Sequence, residues 1–115
     1  MQTTQSIDIS HYTYRVTWSA EDEEFAATCL EFPSLSWLAD TQVDALAGLE
    51  SVITETVTDM REHSEVVPSP ISERHYSGKF NLRVGESLHR RLAQDAAEEQ
   101  ISINQLIVRR LTIAS

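Results

Sequence analysis

The stretch Gly78-Lys79-Phe80-Asn81-Leu82-Arg83-Val84 decides how the rest of the chain is read. Phe80, Leu82 and Val84 alternate with Lys79, Asn81 and Arg83, which is the period of a strand with one apolar and one polar face. The polar face offers Lys, Asn and Arg, the side-chain types best matched to base edges in the major groove of DNA. Two helical patterns follow. Gly85-Glu86 breaks the strand, and Leu88, Leu92 and Ala96 then mark one helix face. Ser102 with Gln105 has the form of a capping box, and Ile103, Ile107 and Leu111 recur at i, i+4, i+8 beside Leu106.

A strand and two short helices over residues 78–115 fall below the size at which a lone chain buries enough apolar surface to be stable. The strand also has no partner of its own. Both deficits vanish if two chains pair their Gly78 to Val84 strands antiparallel, burying Phe80, Leu82 and Val84 against four helices. Two copies of Lys79, Asn81 and Arg83 then lie side by side on the outer face, and a two-stranded ribbon fits the major groove. Without the helices, the same face would read as a solvated strand edge whose charge discourages aggregation.

Charge divides the chain at the same place. Residues 1–77 carry three basic against fourteen acidic side chains, a net of −11, whereas residues 78–115 carry six against four, a net of +2, within a total of −9. The basic end suits nucleic acid and the acidic end a basic partner, although excess carboxylate also serves solubility alone. The one cysteine, Cys29, excludes an intramolecular disulfide, and no cysteine cluster offers a zinc site, so a reducing compartment is expected. No signal segment opens the chain and no apolar run is long enough to span a bilayer, so the expected location is cytoplasmic, with no membrane partner.

Upstream, residues 1–10 are polar and aperiodic and are expected to fray. His11 to Trp18 alternates as a half-buried strand, Glu21, Asp22, Glu23 and Glu24 form an exposed hairpin loop, and Phe25 to Phe32 is a second strand ended by Pro33. Leu35 to Ala39 is a short third strand. Thr41 and Asp44 cap a long helix whose stripe is Val43, Leu46, Leu49, Ile53, Val57 and Met60, and Gly48 within it marks a close approach to the sheet. Pro68-Ser69-Pro70 favours an extended connection and places a linker at 65–77. The fold class is α+β: a small antiparallel sheet with one long helix over 11–64, then a strand-helix-helix module over 78–115.

These residues resemble a known family. Gly78 to Val84, Leu88-His89-Arg90-Arg91-Leu92 and Ser102-Ile103-Asn104-Gln105-Leu106-Ile107 look like a ribbon-helix-helix DNA-binding domain. The whole chain from Tyr12 to Leu111 looks like a HicB-type antitoxin. That wider likeness rests on Cys29-Leu30-Glu31-Phe32-Pro33-Ser34-Leu35, the Trp37 to Thr41 turn, Ala45-Leu46-Ala47, Pro68-Ser69-Pro70 and the run from Tyr76 to Phe80. The resemblance implies a partial RNase H-like N-terminal domain that masks a small, basic, mRNA-cleaving HicA-type toxin by direct binding. It also implies a homodimeric C-terminal repressor of the operon encoding both, with a tetramer left open.

On that resemblance, Lys79, Asn81 and Arg83 contact bases, and Ser102, Ile103 and Asn104 at a helix N-terminus hold a phosphate, with Arg90 and Arg91 adding phosphate contacts. Phe80, Leu82, Val84, Leu92 and Ile107 form the dimer core, the operator carries inverted half-sites, and Glu21, Asp22, Glu23 and Glu24 are toxin contacts. The chain departs from the pattern at Gln100, where related domains have Gly, and at Gly85, where many have Pro.

An enzyme is not expected. Asp40, Asp44 and the Glu21 cluster do not form a convergent metal-binding set, the four histidines are scattered, and no Gly-rich phosphate loop exists, so neither metal nor cofactor is implied. The alternative is a stand-alone ribbon-helix-helix regulator whose N-terminal domain senses a ligand or oligomerises.

Overall fold

The computed structural model describes residues 7–115 and divides into two compact units, one ending at Tyr76 and the other spanning Ser77–Ser115. The architecture is α+β, with a three-stranded antiparallel sheet and three α-helices among the described residues.

In the first unit, β1 (Tyr14–Ser19), β2 (Glu24–Cys29) and β3 (Ser36–Ala39) form a meander in the order β1-β2-β3. The register sets Val16 opposite Ala27 and Ala27 opposite Trp37, so alternate residues of all three strands share the face that α1 (Gln42–Glu62) covers. Tyr12, Ala27, Cys29 and Phe32 pack there with Ala45, Leu49, Ile53 and Val57 of the helix. Full burial of Leu49 and Ile53 contributes about 1.5–3 kcal/mol each.

Several boundaries differ from the sequence expectation. The first strand starts at Tyr14 rather than His11, because Asp8 accepts from Ser10 N at 2.9 Å and caps a 3-10 turn over Ile9–His11. Of the expected frayed segment, residues 1–6 lie outside the described residues, while Ile7 and Ile9 pack against the core. Tyr12 leaves the strand but enters the core, edge-on to Phe32 at 5.3 Å. The second strand stops at Cys29, where a turn closed by Phe32 N to Cys29 O at 3.2 Å reverses the chain.

Helix α1 begins where Thr41 Oγ1 accepts from Asp44 N at 3.1 Å. Its buried line is Ala45, Leu49, Ile53 and Val57, at strict i, i+4 spacing, whereas Val43 at the head of the expected stripe is 76% exposed. Bulk misleads here. The closest approach to the sheet is made by small side chains, and a Cβ added to Gly48 would lie 2.1 Å from the Trp37 indole nitrogen. Gly48 thus makes room for the tryptophan, which outweighs its cost of roughly 1 kcal/mol to a helix interior.

The expected linker, residues 65–77, is largely held against this unit. Pro70 is fully buried, Val67 packs on the core, and Ile71–Glu73 forms a 3-10 turn. Tyr12 Oη donates to Pro68 O at 2.7 Å, Ser72 Oγ donates to His11 O at 3.1 Å, and His11 Nδ1 meets Glu73 Oε1.

In the second unit, α2 (Glu86–Glu99) and α3 (Ile103–Ala114) bury Leu92, Ala96 and Leu106, with Val84, Ile101, Ile103 and Ile107 packed around them. On α3 the buried residue is Leu106. Leu111, expected on the inner stripe, is mostly exposed in the single chain.

Gln100 ends α2 at φ 57° and ψ 40°, with Gln100 N bonded to Ala97 O at 3.2 Å and Ile101 N to Ala96 O at 3.0 Å. This is the Schellman arrangement with a side chain where glycine is favoured. Gln100→Gly is expected to raise the stability of this unit by about 1 kcal/mol, read as a higher urea midpoint at unchanged slope.

Candidate functional site

Residues 77–84 form no ladder in the single chain, so the expected strand is not formed there: the backbone bends at Gly78, where Ser77 Oγ accepts from Lys79 N at 3.1 Å, and runs on to Val84 without a partner strand. Its physical reason is the one the size argument gives: no other segment of the unit is free to pair with it. The apolar side chains are correspondingly open to solvent, with Phe80 78% and Leu82 60% exposed. Of the five residues expected in a dimer core, Leu92 is buried, Val84 and Ile107 pack on it, and Phe80 and Leu82 are exposed in the single chain. The segment and the two helices line an open groove of about 1160 Å³, floored by Leu92, Ile103 and Ile107.

Lys79, Asn81 and Arg83 are all exposed on this segment, and no ion pair engages Lys79 or Arg83 among the described residues. Arg109 and Arg110 differ. They bond Glu99 Oε1 and Asp95 Oδ2, each at 2.8 Å, and so join α3 to α2. Such exposed pairs add at most about 1 kcal/mol each, but they take two guanidinium charges out of contention for other partners. The uncommitted cations of the unit are Lys79, Arg83, Arg90 and Arg91.

At the start of α3 both halves of the capping box are made: Ser102 Oγ accepts from Gln105 N and Gln105 Oε1 accepts from Ser102 N, each at 3.0 Å. The amide of Ser102 is therefore committed. Ile103 and Asn104 hold the first-turn N–H groups that have no intrahelical acceptor, in a position suited to an anion.

The acidic loop of the first unit is partly structural. Ser19 Oγ donates to Asp22 Oδ2 at 3.0 Å and accepts from Asp22 N at 3.2 Å, while Glu23 adopts φ 54° to close the turn. Glu21, Asp22 and Glu23 are exposed, and Glu24 is half-buried as the first residue of β2.

One residue was named in the sequence only as part of a longer string. Glu31 is buried and accepts from Thr13 N at 2.9 Å, Thr13 Oγ1 at 3.2 Å, Ile71 N at 2.9 Å and Cys29 Sγ at 3.4 Å. Burial alone would raise its pKa, but the donated backbone hydrogen bonds, foremost that of Ile71, outweigh burial and hold it below the ordinary carboxylate value. Burial pushes the Cys29 thiol the other way, upward, leaving it protonated and unreactive. No group of three or more His, Cys, Asp or Glu able to hold a metal ion is found among the described residues. No helix among them is long and apolar enough to cross a membrane.

An α+β chain whose second unit carries an unpaired extended segment before two helices is the class these observations define. Within it, the model of the HicB family matches residues 66–111, which supports a HicB-type chain over that span. The match runs from the proline segment through α3 to Leu111 and covers less than half of the chain. No curated protein and no solved structure matches.

Filling the groove with a second copy makes a direct expectation. If a second copy fills this groove, Leu82→Asp places a charge in the apolar contact and is expected to lower the self-association seen in sedimentation velocity for the unaltered chain. Helix content should fall as the second unit, with its core of three buried residues, loses its support.

Proposed function

We propose that this chain is a HicB-type antitoxin of a type II toxin–antitoxin system. Its second unit pairs with that of another copy as a ribbon-helix-helix, reads operator DNA with inverted half-sites, and represses the operon. Its first unit, the remnant of an RNase H-like fold, holds and masks a small basic HicA-type mRNA-cleaving toxin. It is not an enzyme.

The HicB family match over residues 66–111 carries this reading, because it falls on the segment that contains the unpaired ribbon and both helices. Within the ribbon, Arg83 and Lys79 donate to guanine O6 and N7, and Asn81 pairs with adenine. Ile103 and Asn104 offer amides to a phosphate, and Arg90 and Arg91 add charge beside it. Two ribbons related by a twofold axis demand inverted half-sites.

The test is whether a small basic protein is encoded in the adjacent gene and, if so, co-expression with it. A stable complex that shifts DNA from its own promoter is expected. Promoter binding without capture of the neighbour would leave a stand-alone regulator and remove the antitoxin assignment.

A further inference from the structure

We infer that the free edge of β3 is where the first unit takes hold of its basic partner, accepting a strand of that protein beside Ser36–Ala39 whose alternate side chains meet Leu38 on the outer face of the sheet and Val43 on the side of α1. The inference rests on the proposed capture of a basic protein by this unit and names the surface that performs it.

Strand β3 pairs with β2 alone, so its outer row of N–H and C=O groups has no partner among the described residues. Soluble proteins commonly guard such an edge with lysine, proline or an inward-pointing charge. Ser36-Trp37-Leu38-Ala39 has none of these, and shortness, at four residues, is its one protection. Trp37 and Leu38 are each 43% exposed, and Val43, on the first turn of α1 just beyond the strand, is more open still. Trp37 is held from behind by its seat on Gly48, so the edge is firm rather than collapsible. An unguarded edge beside large apolar side chains is the arrangement used for strand addition.

Charge identifies the occupant. From residue 16 to residue 60, which spans the last four residues of β1 together with β2, β3 and most of α1, there is no lysine or arginine, against ten carboxylates. Asp40 and Asp44 flank the edge directly, and both are exposed. A second copy of this unit would bring the same negative field and be repelled, whereas a basic chain is drawn in. The other free edge, β1, is less suited, since the cation of Arg15 lies within it and repels a basic strand.

Hydrogen–deuterium exchange on the wild-type chain, alone and with the neighbour-encoded basic protein, tests this without any substitution. Amides of Ser36–Ala39 that point away from β2 are expected to gain protection in the complex. Leu38→Ser with Val43→Ser, both at exposed positions, is expected to weaken the complex roughly tenfold or more. A complex that forms without protection at β3, or with unchanged affinity in the double variant, overturns the docking site and leaves the antitoxin reading standing. Failure of the wild-type chain to bind at all removes that reading together with the site. Self-association of the chain alone that the double variant abolishes would make the occupant a second copy and overturn the inference.

Discussion

Alanine at Lys79, Asn81 and Arg83 together is expected to lower affinity for the operator by about a thousandfold or more, to the level of binding to unrelated DNA. Each good base contact discriminates by about 1–3 kcal/mol, and the proposed twofold ribbon would lose every contact twice. The proposed dimer should survive, because the substituted side chains alternate with Phe80, Leu82 and Val84, which are untouched. Fluorescence anisotropy with the operator and a scrambled duplex reads both affinities, and sedimentation confirms the dimer. Equal operator binding by the triple variant and the wild type would dispose of the ribbon assignment. Arg90→Ala makes the contrast: binding to both duplexes should weaken alike, with a salt dependence shallower by about one phosphate contact per site lost.

The second large effect concerns stability. Glu31→Ala removes the acceptor for the Thr13 and Ile71 amides and for the Thr13 hydroxyl. Two part-buried backbone donors lose their acceptor, each costing about 1 kcal/mol or somewhat more, so a loss of roughly 2 kcal/mol is expected from the first unit. Both tryptophans, Trp18 and Trp37, lie in that unit, so urea unfolding followed by tryptophan fluorescence reports it selectively. Because the same carboxylate ties down Ile71, the variant should also become sensitive to proteolysis between residues 66 and 76. A melting curve and cleavage pattern like those of the wild type would show that the carboxylate is not the tie.

The pH dependence follows from the same geometry. The folded-state pKa of Glu31 lies below its ordinary value of 4.5, so its contribution is complete above that pH and is lost as the pH falls through the folded pKa. Glu31→Gln should abolish that part of the acid sensitivity. His11 acts in the opposite direction. Its hydrogen bond with Glu73 raises its pKa, so its contribution is present below about 6.5 and fades as the pH rises through the folded pKa. The segment from Pro68 to Glu73 is therefore held best in mildly acidic solution, where Glu31 is ionised and His11 protonated.

Much of this architecture is written in local pattern. The Thr41 and Ser102 caps and the hairpin after Ser19 each depend on a few neighbouring residues, and each is present, whereas Trp18, expected on the inner face of β1, is exposed. The register of α1 against the sheet was less legible. Hydrophobicity weights Val43 and Leu46, but the closest approach belongs to Ala45 and Gly48, whose value lies in the volume they lack. The role of Glu31 was not legible at all as a pattern. Its partners stand at Thr13 and Ile71, 18 and 40 residues away, and no local spacing announces them.

For the candidate site the division runs the same way. By itself the sequence determined that Lys79, Asn81 and Arg83 share one face of an extended segment opposite Phe80, Leu82 and Val84, because a period of two is a property of the backbone. It determined the charge of each end as well, a simple sum over side chains. Only the tertiary structure decided which cations remain uncommitted, since the pairing of Arg109 and Arg110 depends on how α3 lies against α2. It alone decided that the proline segment is held through Glu31, and that β3 is an open edge beside Trp37, Leu38 and Val43. Those are outcomes of packing between residues distant in the chain, where close contact and burial, rather than local propensity, set the energy.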